Sequence, residues 1–255
     1  MRRDILSAPH ALFGFINKYS GNKVEWWASA HREWWTMIGL IMAMVADIGA
    51  PLANCVFATD AMGASEIDAG GYGIVGANVS PELALATFEC GTAPGFTVSR
   101  LDGDIRALHN PAKELQRTVP YTKVPDVLFE DSTKWEPIAQ GRWTWEDHIT
   151  LGEARAVTKL AALLARCPLA HRHKVISLQD NRPCQGANNK GRSCAHQLNV
   201  TLRKKAGNTI AARLNLILPW TASALMPADE LSRQVVHQPR LDRSTPECED
   251  QGGHY

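Results

Sequence analysis

Cys55-Val-Phe-Ala-Thr-Asp60 is an apolar run that closes on a carboxylate, and its reading decides the fold. Short apolar runs with β-branched and aromatic side chains, bounded by turn residues, form strands. Residues 53–61 are therefore expected to be a first strand with Asp60 at its end. Outward from it, residues 70–78 read as a second strand after a turn between Gly63 and Gly71, and residues 135–145 as a third. Val175-Ile-Ser-Leu178 has the look of a short, buried central strand, and residues 214–218 supply a fifth. Between them lie helical patterns. One begins near Leu151, capped by Asp147 or Thr150, and ends before Pro168; Ala154, Val157, Leu160, Ala161 and Leu164 form its apolar face. A second spans residues 193–213, with Leu198, Leu202, Ala206 and Ile210 inward, and a last one starts at Ala228. The order β-β-β-α-β-α-β-α predicts an α/β fold, a mixed five-stranded sheet flanked by helices.

Four acids occupy the ends of these elements. Asp60 closes the first strand and Glu153 opens a helix. Asp180 ends Val175-Ile-Ser-Leu-Gln-Asp180, and Asp229 follows an apolar run in Met226-Pro-Ala-Asp229. Converging carboxylates repel one another unless hard cations neutralise them. Such a cluster suits two-metal hydrolysis of a phosphodiester. Taken singly, each acid also reads as a helix cap or a solvated surface charge, Asp229 above all.

The chain resembles a known family. In order it carries Ala58-Thr-Asp-Ala61, Gly70-Gly-Tyr-Gly73, Gly141-Arg-Trp143, Glu153, Gln179-Asp-Asn181, Gly191-Arg-Ser193 with Leu198-Asn199, Trp220 and Pro227-Ala-Asp-Glu-Leu-Ser-Arg233. This is similar to the ribonuclease H domain of retroelement reverse transcriptases, especially those of tyrosine-recombinase-type retrotransposons. The resemblance covers roughly residues 53–233, and its most specific piece is the final Pro-Ala-Asp-x-x-Ser-Arg. It implies a ribonuclease H-like fold and cleavage of the RNA strand of an RNA–DNA hybrid. It also implies two Mg²⁺ ions, with Mn²⁺ able to substitute, held by Asp60, Glu153, Asp180 and Asp229. Three positions depart from the pattern. Met62 stands where the family has a small residue, Gly152 where an apolar residue precedes the Glu, and residues 221–228 contain no His.

Charge is strongly segregated although the formal net charge is only +1. Residues 171–213 carry nine Lys or Arg against a single acid, Asp180, whereas residues 125–153 carry seven acids against two bases. A basic stretch beside an acidic metal site fits a polyanionic substrate. Within and around that stretch Gly63, Asn181, Lys190, Arg192, Arg203, Lys204 and Lys205 are the candidate substrate contacts; the plainer reading of the bases is a solvated helix face. The six cysteines at 55, 90, 167, 184, 194 and 248 show no zinc spacing. They are expected to be reduced thiols of an intracellular protein. Met37–Ala46 is apolar but too short to span a bilayer.

Three regions follow. Residues 1–50 are expected to be an N-terminal helical extension: little holds residues 1–23, and a helix begins near Val24. Its Trp27, Trp34, Ile38, Ile41 and Val45 recur at helical spacing, for packing on the following domain or on a polymerase region of the same element. Residues 51–233 form the ribonuclease H-like domain. Within it, residues 81–134 contain five prolines and read as an irregular insertion with a short strand near 83–88. Residues 234–255 are expected to be a disordered tail. Two rival readings share these residues: a resolvase- or integrase-like DNA nuclease on the same fold, and a catalytically degenerate domain that only binds nucleic acid or a partner.

Overall fold

The computed structural model describes residues 3–19, 21, 23–65, 69–91 and 123–237. Five strands, β1 (Leu52–Met62), β2 (Gly71–Asn78), β3 (Glu136–Arg142), β4 (Lys174–Leu178) and β5 (Asn215–Ile217), form one sheet in the spatial order β3-β2-β1-β4-β5. The β1–β2 and β2–β3 pairs are antiparallel, and β1–β4 and β4–β5 are parallel. The helices are α1 (His10–Tyr19), α2 (Ala28–Leu40), α3 (Pro81–Gly91), α4 (Ile149–Arg166), α5 (Arg182–Lys190), α6 (His196–Ala211) and α7 (Asp229–His237). Parallel neighbours need a crossover; α4 makes the one into β4, and α5 with α6 makes the one into β5. This mixed five-stranded sheet with flanking helices is the ribonuclease H-like α/β arrangement that the sequence implies.

Both faces of the central strands are covered, which is why they read as nearly continuous apolar runs. Val56, Ala58, Ile176 and Leu178 pack with Met226 and Ala228 in one cluster. Ile74 and Val175 meet Leu160, Leu164 and Leu214 in another. The edge strand β3 tolerates Pro137, and its register shifts there: Ile74 faces Ala139 while Val75 faces Pro137, leaving Ile138 bulged.

Several expectations are corrected. The short strand expected near 83–88 is instead part of α3. Ser80 Oγ accepts from Leu83 N, Pro81 opens the helix and Glu82 lies in its first turn, a favoured helix start. Helix α5 was not expected. Asn181 Oδ1 caps it by accepting from Cys184 N at 2.9 Å, and Gly191 ends it with φ +71°. Neither Asp147 nor Thr150 caps α4; His148 Nδ1 accepts from Thr150 N. Helix α2 starts at Ala28 rather than Val24, and its tryptophans are not core: Trp34 and Trp35 remain 46% and 60% exposed. Helix α7 continues to His237, past the start of the expected tail, and residues 238–255 lie outside the described residues, as do 92–122 of the expected insertion.

Little was expected to hold residues 1–23, yet the described residues 3–19 are anchored far better than their polarity suggests. Arg3–Ser7 is a 3₁₀ turn with Ile5 buried. Ser7 O accepts from Asn199 Nδ2 at 2.6 Å and from Arg203 Nε at 2.8 Å. Lys205, 2% exposed, pairs with Asp4 Oδ1 at 2.8 Å, the partner a buried ammonium requires. Among the described residues no helix is long and apolar enough to cross a membrane.

Candidate metal centre

Sheet register brings the acids together. Ala58 of β1 faces Leu178 of the parallel β4, so Asp60 and Asp180, each two residues further on, leave neighbouring strand ends at the same level. Glu153, in the first turns of α4, reaches the same point. One carboxylate oxygen from each of Asp60, Glu153 and Asp180 lies within 4.8 Å of the other two. Asp60 and Glu153 are only 5% and 3% exposed, while Asp180 is half-buried.

Neutral donors hold each acid in place. Asp60 Oδ2 accepts from Ser232 Oγ at 2.5 Å. Glu153 Oε2 accepts from Gln179 Nε2 at 2.9 Å, and its Oε1 from Ala61 N at 3.3 Å. Asp180 Oδ2 accepts from Ser223 Oγ at 2.6 Å, and its carbonyl from Trp220 Nε1 at 2.8 Å. Burial, with added repulsion from Asp180 and Asp229, pushes the Asp60 carboxyl up to about 6, against a lowering by Ser232. Burial and the charges of Asp60 and Asp180 push Glu153 up to about 9, against lowering by Gln179 and Ala61. Buried carboxylates this close must share protons or a cation. The donor set is all oxygen, suiting a hard divalent ion, and hydrogen bonds orient the carboxylates as supporting partners of metal ligands do. These three residues can therefore hold a metal ion.

Asp229, expected as the fourth ligand, heads α7 outside this trio. Its Oδ1 accepts from Arg233 Nε at 3.0 Å and Nη2 at 2.9 Å. It is still near enough for its charge to raise Asp60.

The expected substrate contacts divide. Gly63 follows β1 directly and faces the Ile149 side chain. Asn181 spends its side-chain oxygen on the α5 cap. Lys190 and Arg192 are exposed around the Gly191 turn, and the Arg192 guanidinium lies 4.3 Å from the Phe13 ring centre. Lys204 is exposed on α6. Lys205 is corrected: buried against Asp4, it reaches no substrate phosphate. Arg203 is largely committed as well, to Ser7 O and, at 3.5 Å, to Glu33 Oε1.

Ser232, Gln179 and Ser223 are site residues that the sequence reading did not assign. Two carried a usable signal: Gln179 precedes Asp180 directly, and Ser232 lies in the Pro227–Arg233 motif, one turn after Asp229. Ser223 had none.

No protein-family model matches the chain, and no curated protein matches it. Among solved structures, the prototype foamy virus protease–reverse transcriptase is similar at 12% identity and a TM-score of 0.38, over 73% of this chain and 21% of that one. The chain thus spans about a fifth of that structure's length.

Proposed function

We propose that this chain is a metal-dependent endonuclease that hydrolyses the RNA strand of RNA–DNA hybrids. The observation that carries the reading is the convergence of Asp60, Glu153 and Asp180 within 4.8 Å at adjacent ends of a β3-β2-β1-β4-β5 sheet. Asp60, Glu153 and Asp180 hold Mg²⁺ or Mn²⁺, with Asp229 as a further ligand once released from Arg233. Bound divalent ions supply an activated water and stabilise the leaving oxygen of an in-line displacement. Ser232 fixes the rotamer of Asp60, Gln179 and the Ala61 amide fix Glu153, and Ser223 fixes Asp180. Lys190, Arg192 and Lys204 offer cations to the hybrid's phosphates, and Gly63 and Asn181 line the approach. Choice of the RNA strand rests on its 2′-hydroxyl. The exposed tryptophan face of α2 is assigned, on the same reading, to a polymerase region of the same element.

A second reading, a nucleic-acid-binding domain without turnover, is favoured by one observation: Asp229 is engaged by Arg233. A cleavage panel of hybrid, duplex and single-stranded oligonucleotides with Mg²⁺ and Mn²⁺ separates the two. Metal-dependent cutting of hybrid RNA that is lost in Asp180→Asn supports the enzyme. Binding without turnover in either metal overturns it.

A further inference from the structure

A cleft of about 990 Å³ lies between α1, the start of α4, and α5 with the turn into α6. Its lining includes Arg182, two residues from Asp180, and Leu151, two residues from Glu153. Lys190 and Arg192 stand on one wall; His10, Phe13 and Asn17 of α1 form the other. No Asp or Glu is among the described residues that line it. Two guanidinium planes are backed by rings: Arg192 lies 4.3 Å from the Phe13 ring centre and Arg182 4.4 Å from that of Trp220. The α1 wall is fixed, because Asn199 and Arg203 bind Ser7 O just ahead of it. A Cβ on Gly191 would meet Arg3 O and the Arg3 carbonyl carbon, so only glycine lets the N-terminal segment pass this close.

A cationic groove with planar, ring-backed faces is the chemistry that takes single-stranded nucleic acid, with phosphates meeting the bases of the protein and nucleobases stacking on flat groups. We propose that this cleft, with α1 as one wall, receives a single nucleic-acid strand running on from the carboxylate centre. Its phosphates meet Lys190 and Arg192, and its nucleobases stack on the Arg182 and Arg192 planes. The direction of the strand rests on the nuclease reading; the binding itself does not.

The test is fluorescence anisotropy of a labelled single-stranded DNA of about 12 nucleotides, inside the ~4–16 span of single-strand sites. It is run on the full chain in EDTA, where no turnover intervenes. Lys190→Ala/Arg192→Ala weakens binding by about tenfold or more, the scale of losing one stacked base. Asn17→Glu weakens it several-fold, whereas Asn17→Lys strengthens it. A purely structural role for α1 moves both Asn17 variants the same way. Asn17 is exposed, so these two variants remain readable if the double variant fails to melt cooperatively. Binding unchanged in the Asn17 pair, or no binding by the unaltered chain, overturns the cleft. An inactive centre with these shifts intact leaves the cleft standing and overturns only the nuclease.

Discussion

Ser232 donates its hydroxyl to Asp60 across 172 residues of sequence, at 2.5 Å and with both groups buried. The contact exists because Gly73, the β2 partner of Asp60, has no side chain. A Cβ there would lie 2.7 Å from Ser232 N and 2.9 Å from Ala228 O. The glycine thus seats the start of α7 on β2 and delivers Ser232 to the carboxylate.

Ser232→Ala removes the neutral donor that lowers the Asp60 carboxyl. A hydrogen bond to a charged group is worth about 1.5–3 kcal/mol, and loss of a metal ligand's supporting partner costs about 10–100-fold in affinity or activity. We expect metal affinity, read by isothermal titration with Mn²⁺, to fall within that range. Unaltered affinity would show that the Ser232 contact is incidental to the centre.

Gly73→Ala is expected to cost about 1–3 kcal/mol, the scale of overpacking a filled interior, because both close atoms are backbone. Urea unfolding measures it. The same substitution should weaken metal binding, as α7 is levered away from Asp60. A variant as stable as the parent would mean that α7 can shift without consequence.

The centre gives a pH dependence of definite sign. Asp60 rises from 3.8 to about 6 and Glu153 from 4.5 to about 9 in the fold. Between those limits the folded state holds protons that the unfolded chain has released, so stability falls as pH rises. The contribution is complete below about pH 4 and lost progressively towards about pH 9. We expect the metal-free Tm to decline over the upper part of that window, and Mg²⁺ or Mn²⁺ to restore it more at the alkaline end. A metal-free Tm that climbs from about pH 6 to 9 contradicts the assignment.

The five strands were legible as short runs bounded by turn residues, Asp60 and Asp180 because two of those runs lead into them, and Glu153 because it stands at the start of a helical pattern, all local signals. Features that depend on distant partners were not. Leu83 and Leu85 alternate as in a strand, but Leu85 and Phe88 keep helical spacing, and the Ser80-Pro81-Glu82 start of α3 decides for the helix. Lys205 looks like a surface base until Asp4, from the other end of the chain, is placed beside it. Asp229 carries the motif, but four residues before Arg233 on one helix it also has the spacing of an i,i+4 ion pair, and that pair forms.

Asp180→Asn is expected to leave folding intact and reduce cleavage to background. The half-buried side chain keeps its shape and can still accept from Ser223, but it loses ligand charge. Asp60→Asn adds a second signature: with a buried charge removed, the metal-free protein should melt higher at alkaline pH while binding no Mn²⁺. Hybrid cleavage at the parent rate in Asp180→Asn would remove the centre from the chemistry.

Lys204 and Lys205 of α6 should separate cleanly, although their sequence makes them look alike. Lys204 is exposed and lines a second cleft with Lys159 and Arg155, so it can meet a phosphate. Each phosphate neutralised contributes roughly −0.9 to the log–log salt slope on a duplex, and Lys204→Ala should therefore flatten the slope of hybrid binding by about one unit. Phosphate contacts do not read sequence, so the loss should be similar across hybrids, with thermal stability unchanged. Lys205 behaves oppositely. Asp4→Ala strands a buried ammonium, and breaking such a pair costs about 3–5 kcal/mol. That variant should lose stability and loosen the N-terminal segment, yet keep its salt slope wherever it remains folded. Equal slope changes in Lys204→Ala and Asp4→Ala would mean that Lys205 turns outward in solution, and that the N-terminal clasp on α6 is not the resting state of the chain.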